Sequence, residues 1–128
     1  MKKLIIISLA LLILMGLGLY ESIVSYKVYT EIMNDCKSME VVLNEEDEVS
    51  ENALSKFVKI EKQWNKHKAF SLIFSNHNQV KDFTQKLNTL KGYLEEKDKK
   101  ESIVALLSLK ATTEFLIREN VPLMENIL

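Results

Sequence analysis

The stretch ALSKFVKIEKQWNKHKAFSLIF, Ala53 to Phe74, decides the fold. Ala53, Phe57, Ile60, Trp64, His67, Ser71 and Phe74 follow one another at alternating steps of four and three, with Phe70 beside them. This is the rhythm of a helix that buries one stripe against other helices, as in a coiled coil. The stripe carries the only tryptophan of the chain and one of its two histidines. Those rings are therefore either part of a helical core or the lining of a pocket.

A metal site is the sharper reading of the histidines, and spacing argues against it. Chelation from one helix uses positions i and i+4, whereas His67 and His77 are ten apart. On a continuous helix that is about 15 Å along the axis. If the chain turns at Asn76, the two are still on the order of 12 Å apart, too far for one zinc that needs both nitrogens at about 2 Å. No acid lies three or four residues from His67 to orient its ring, while Gln63 and Ser71, one turn either side, are adequate partners for a structural imidazole. We read His67 as structural, Trp64 as a core anchor and His77 as a turn residue. The alternative is a ligand pocket between Trp64, His67 and the fourth helix.

Outward from this helix the pattern repeats. From Glu21 to Leu43, Ile23, Tyr26, Met33, Cys36 and Leu43 form one stripe, with Val28, Ile32, Met39 and Val42 beside it. No breaker separates them from the apolar segment before. The acidic run NEEDEVS from Asn44 lacks the glycine and spacing of a calcium loop and is read as the start of the second helix, complementing its dipole. Asn76 with Gln79 predicts a capping box opening a third helix on Val80, Phe83, Leu87, Leu90 and Leu94. Asp98 with Glu101 predicts another, opening a fourth from about Asp98 to Asn120. That helix is apolar over more than one stripe, Ile103, Val104, Leu106, Leu107, Leu109, Ala111, Phe115, Leu116 and Ile117, which predicts cover by two or more neighbours. Pro122 is expected to end it, and the apolar tail Leu123, Met124, Ile127 and Leu128 to dock on the bundle or a partner.

The chain begins MKKLIIISLALLILMGLGLY, an apolar run from Leu4 to Tyr20 that just reaches the length needed to span a hydrocarbon core. A cleaved secretory signal would begin alike. The exit GLGLYESIVSY lacks a clean small-residue cleavage pattern and continues into helix formers, so residues 1–20 are read as an uncleaved anchor and 21–128 as one domain. Lys2 and Lys3 precede the run, which puts the N-terminus in the cytosol and the domain outside. Gly18 and Ser22 make a small-xxx-small pair that could join two copies.

Composition narrows the function classes. The 128 residues hold only three glycines and one proline, too little punctuation for a sheet, and 27% are charged. Removing Lys2 and Lys3 from the 17 basic residues leaves 15 against 18 acidic, a net of −3 outside the span. Such a balance seeks neither nucleic acid nor anionic lipid. The lone Cys36 cannot form an internal disulfide and is expected in the core. Glycine-rich phosphate loops, nucleophile elbows and paired cysteines are all missing, so no catalytic, cofactor or metal residues are assigned and no enzyme is expected. The fold class expected is all-α: a membrane helix continuing into an antiparallel three- or four-helix bundle about 30 to 35 Å tall.

The Lys-flanked anchor, Trp64 followed by the apolar segment Phe70 to Phe74 and His77, the helical stretch with Leu87 and Leu90, and the closing Glu125 to Leu128 together resemble domain-of-unknown-function family 4363, short bacterial proteins of clostridia and related spore formers. The resemblance implies the same architecture and an envelope setting. It brings no activity and no site residues. The function expected is that of a membrane-anchored accessory or interaction subunit, in an envelope or sporulation-linked complex, with a protein partner or a second copy; the alternative is a small-molecule or signal-sensing bundle with its pocket near Trp64 and His67.

Overall fold

The computed structural model describes residues 1–74 and 76–127, with side chains for 1–73 and 76–120. Its elements are four helices: α1 (Lys2–Glu45), α2 (Glu51–Phe74), α3 (His77–Glu95) and α4 (Lys99–Ile127). Each packs on two neighbours in a square, α1 against α2 and α4, and α3 against the same two. The lateral pairs fix the directions. Asp35 meets Lys59 and Ser25 meets His67; Glu40 meets Lys110 and Glu46 meets Lys99; Glu61 meets Lys91 and Trp64 meets Thr84; Gln79 meets Glu119 and Lys86 meets Thr112. In each pair one number rises as the other falls, so every neighbouring pair is antiparallel.

α1 is the only helix among the described residues long and apolar enough to cross a membrane, with a mean hydropathy of 2.3 over its most apolar window. It runs without interruption from that exposed apolar part into the bundle. There it buries Ser22, Ser25, Tyr29, Ile32, Cys36, Met39 and Leu43, a repeat of threes and fours that meets the matching stripe on α2. Ile23 and Tyr26, expected on this stripe, are only half-buried. Two serines hold their places, so the core near the exposed apolar part of α1 is polar where the apolar pattern pointed elsewhere. Ser22 is thus used inside its own chain, and the Gly18–Ser22 pair does not offer a free dimer face.

The connections follow from caps. The acidic run does not open α2 as expected: Glu45 ends α1, residues 46–48 form the bend, and the cap is Ser50, whose Oγ accepts from the Ala53 amide at 3.2 Å. Carboxylates at the negative end of the α1 dipole are unfavourable, and Lys99 answers them by donating to the Glu46 carbonyl at 2.6 Å. Asn76 caps α3, its Oδ1 accepting from the Asn78 amide at 2.8 Å. The capping box is only half formed, because the Gln79 side chain donates to Glu119 at 2.6 Å across to α4. α3 closes in a Schellman arrangement, with Lys97 donating to the Leu94 carbonyl and Asp98 to that of Tyr93. This puts Lys97 at φ 57, in the left-handed region usually left to glycine. Asp98 then opens α4, its Oδ1 accepting from the Glu101 amide at 3.1 Å.

α4 does not stop at Pro122 but continues to Ile127. One proline withdraws one N–H and crowds one turn, and the turns on either side keep their own hydrogen bonds. The expected docking of the Leu123 to Leu128 side chains lies outside the described residues. α4 is covered by two neighbours, as its wide apolar arc implied. α1 and α3 bury Leu106, Leu109, Thr113 and Leu116, while Val104, Leu107 and Phe115 are 56%, 44% and 55% exposed on its outer face.

Candidate functional site

The bundle core changes character along its axis. Away from the exposed apolar part of α1 it is aliphatic, with Ile32, Cys36, Met39, Leu43, Ile60, Leu90, Leu94 and Leu106 all essentially inaccessible. An aromatic layer follows, in which Trp64 lies 4.2 Å from Phe83 between ring centroids and 6.4 Å from Tyr29. The Trp64 indole N–H, which would be costly to bury alone, donates to Thr84 Oγ1 at 3.1 Å. Nearest the exposed apolar part of α1 the layer is polar: Ser22 and Ser25 from α1 and His67 and Ser71 from α2 are all buried.

His67 is the centre of this layer. Tyr29 meets it edge-on at 5.6 Å and Phe70 lies 5.4 Å away. Its Nε2 is 3.3 Å from Ser25 Oγ, and that hydroxyl donates its single proton to Glu21 Oε1 at 3.0 Å. With the serine proton so committed, the imidazole must be the donor, which fixes the Nε2–H tautomer. Burial holds the His67 pKa below its ordinary value, with Glu21 acting weakly in the opposite sense, so the ring is neutral at neutral pH. Burial likewise pushes the Tyr29 phenol up, opposed by the Ser71 hydroxyl.

The order Glu21, Ser25, His67 differs from that of a nucleophilic triad in one decisive way. There the imidazole takes the serine proton and the carboxylate orients the imidazole; here the carboxylate accepts a hydrogen bond from the serine hydroxyl and the imidazole donates to the serine oxygen. The arrangement locks the imidazole in place.

The sequence placed His67 on the stripe correctly, but its hydrogen-bond partner is Ser25, forty-two residues away, and not Gln63 or Ser71. Gln63 instead donates to Glu31 at 3.2 Å on the surface. A groove of about 470 Å³ reaches His67 from outside, lined by Tyr20, Val24, Val28 and Glu31 of α1 and Gln63, Lys66 and Phe70 of α2. The pocket expected with Trp64 and α4 is therefore elsewhere: Trp64 faces Thr84 and Phe83 on α3, and the groove belongs to α1 and α2. His77 is the first residue of α3 and is exposed. Cys36 is buried, and that burial pushes its thiol up to about 12, so it stays protonated. Among the described residues no group of three or more His, Cys, Asp or Glu is arranged to hold a metal ion.

Ser22, Ser25 and Glu21 were missed by a reading that followed apolar residues. The available signal was the spacing itself, since Ser22 and Ser25 continue the run of Tyr29, Ile32 and Cys36 backward in steps of three and four.

These features define a helical-bundle protein whose first helix extends beyond the bundle as an apolar rod. The chain matches the family described as Domain of unknown function (DUF4363) over residues 21–127, and it belongs to that family. Comparison with curated proteins and with solved structures finds no match.

Proposed function

We propose that the protein is a single-pass membrane protein whose bundle, residues 21–128, stands outside the cytosol and acts by binding another protein at the membrane surface, as an accessory subunit of an envelope or sporulation-linked complex. The length and hydropathy of the α1 apolar part support the anchor, and Lys2 and Lys3 before it support the orientation. No turnover is assigned to the chain.

The observation that carries the protein-contact reading is the outer face of α4. Val104, Leu107, Ala111 and Phe115 are exposed in steps of three and four, a straight apolar seam about 16 Å long. A seam with helical spacing on a helix fits the apolar face of another helix, and an anchored bundle meets partners held at the same surface. The partner is therefore an amphipathic helix of a second membrane-associated protein. A photoreactive amino acid at Leu107 or Phe115 should give one discrete adduct in native membranes, while the same group at Ser55 or Asn88, exposed on other helices, should give none. Equal adducts from both sets would refute the reading, and an adduct of twice the chain mass would name a second copy as the partner.

A second reading, a bundle that senses a small molecule, draws on the groove at His67. It requires ligand-dependent melting of the full-length protein that is lost when Val24 or Val28 is enlarged to fill the groove.

A further inference from the structure

A second groove, of about 380 Å³, lies between α2 and α3, lined by Lys68 and Leu72 from one and His77, Lys81, Thr84 and Gln85 from the other. No carboxylate lines it. Neither lysine has an acidic partner among the described residues, and the nearby Asp82 is paired with Lys86 at 3.1 Å.

The height of this groove relative to the anchor is set by one contact. The Tyr20 ring, at the end of the apolar run, meets Phe70 edge-on at 6.0 Å. Because α1 and α2 are antiparallel, α2 beyond Phe70 descends toward the anchor. Ile73 is then about 4 to 5 Å below the level of Tyr20. Leu72 and Ile73 are 39% and 75% exposed there. Lys68 precedes Phe70 on α2, and Lys81 is one turn from Thr84, which the Trp64 indole N–H sets well above Phe70, so both lysines stand on the other side of that level, away from the anchor. An interfacial tyrosine, apolar side chains below it and ammonium groups above it reproduce the polarity of a phospholipid from acyl chain to headgroup.

We propose that this groove seats the headgroup of an anionic phospholipid in the leaflet from which α1 emerges, with Lys68 and Lys81 on the phosphate and Leu72 and Ile73 among the first methylenes of the chains. The proposal rests on the membrane-anchor reading above. The net charge of −3 that argued against anionic lipid is an average over the outer domain, and the lipid meets only its foot. Juxtamembrane lysines contribute about 1 kcal/mol each near an anionic surface.

The test uses the full-length chain in lipid nanodiscs of phosphatidylcholine, with and without phosphatidylglycerol, followed by thermal unfolding. A lipid bound by the folded state alone raises the unfolding temperature. The expected result is a rise with phosphatidylglycerol that high salt abolishes, that is lost in Lys68→Gln/Lys81→Gln, and that is retained in the control Lys62→Gln/Lys100→Gln. An equal rise in both double variants, no rise at all, or the same rise from soluble glycerol phosphate in phosphatidylcholine discs would overturn the lipid site while leaving the anchor intact. Failure of the wild-type chain to co-elute with the discs would overturn both.

Discussion

Substituting Ser25 by alanine removes the hydroxyl that accepts from His67 and donates to Glu21. The side chain is 1% exposed and the change removes one oxygen and no carbon, so the cavity contribution is negligible. Glu21 is only half-buried and regains water, so the larger cost is the His67 Nε2–H left buried with no acceptor, about 1–3 kcal/mol. For a domain of roughly a hundred residues this lowers the melting temperature by about 4–12 °C, at about 4 °C per kcal/mol. His67→Phe removes the donor instead, and the double variant should be less destabilised than the two single changes together, with a coupling of about 0.5–3 kcal/mol. Trp64 is the only tryptophan and is 1% exposed, so its fluorescence in detergent-solubilised full-length protein follows the bundle and not the apolar rod.

The same residue sets a pH dependence. Burial lowers the His67 pKa in the folded state. Above the unfolded value of about 6.5 both states are neutral and the contribution is complete; below it the unfolded state takes up the proton first, and stability falls as the pH drops toward the folded value. His67→Phe should flatten the wild-type curve just below pH 6.5, above the range where carboxylates titrate. If Ser25→Ala melts with the wild type, or the slope survives without His67, the pairing deduced for the polar layer is wrong.

Trp64→Ala should cost about 3–5 kcal/mol and leave the bundle largely unfolded by circular dichroism, whereas Trp64→Phe, keeping the ring beside Phe83 but not the bond to Thr84, should stay folded with a lower midpoint. Lys97→Gly relieves a left-handed φ of 57 and should raise the midpoint by the equivalent of up to about 1 kcal/mol in denaturant titration; a loss of stability would mean the Lys97 side chain contributes more than its backbone strain costs. Cys36 should resist thiol reagents in the native protein and react on unfolding, because its pKa of about 12 reflects a buried thiol; rapid native labelling would contradict the core packing.

The helices were legible in the sequence because large apolar residues at steps of three and four have few other places to go. α2 from Ala53 to Ser71 and α3 bury the stripes read for them, the Phe74 side chain lying outside the described residues, and Asn76 and Asp98 cap where expected. The polar layer was not legible for a physical reason: serine is an ordinary surface residue, and the partner that makes burial of Ser25 tolerable, His67, arrives from another helix. The wide apolar arc of α4 implied two neighbours, and α1 and α3 supply them; two neighbours still leave the outer side of a helix open, where Val104, Leu107 and Phe115 lie. Pro122 misled because its effect on the preceding residue is a local preference, which an established helix can override. Glu45 to Glu48 misled because net complementarity to a dipole does not say which of two adjoining helix ends the acids flank.

One unbroken helix carries both the apolar run and the Ser22, Ser25 and Tyr29 face of the core. There is no joint between them. Any roll or tilt of the outer rod must therefore arrive undiminished at the imidazole, where turning α1 by a single residue position, about 100°, would swing the serine away and present a different side chain to the ring.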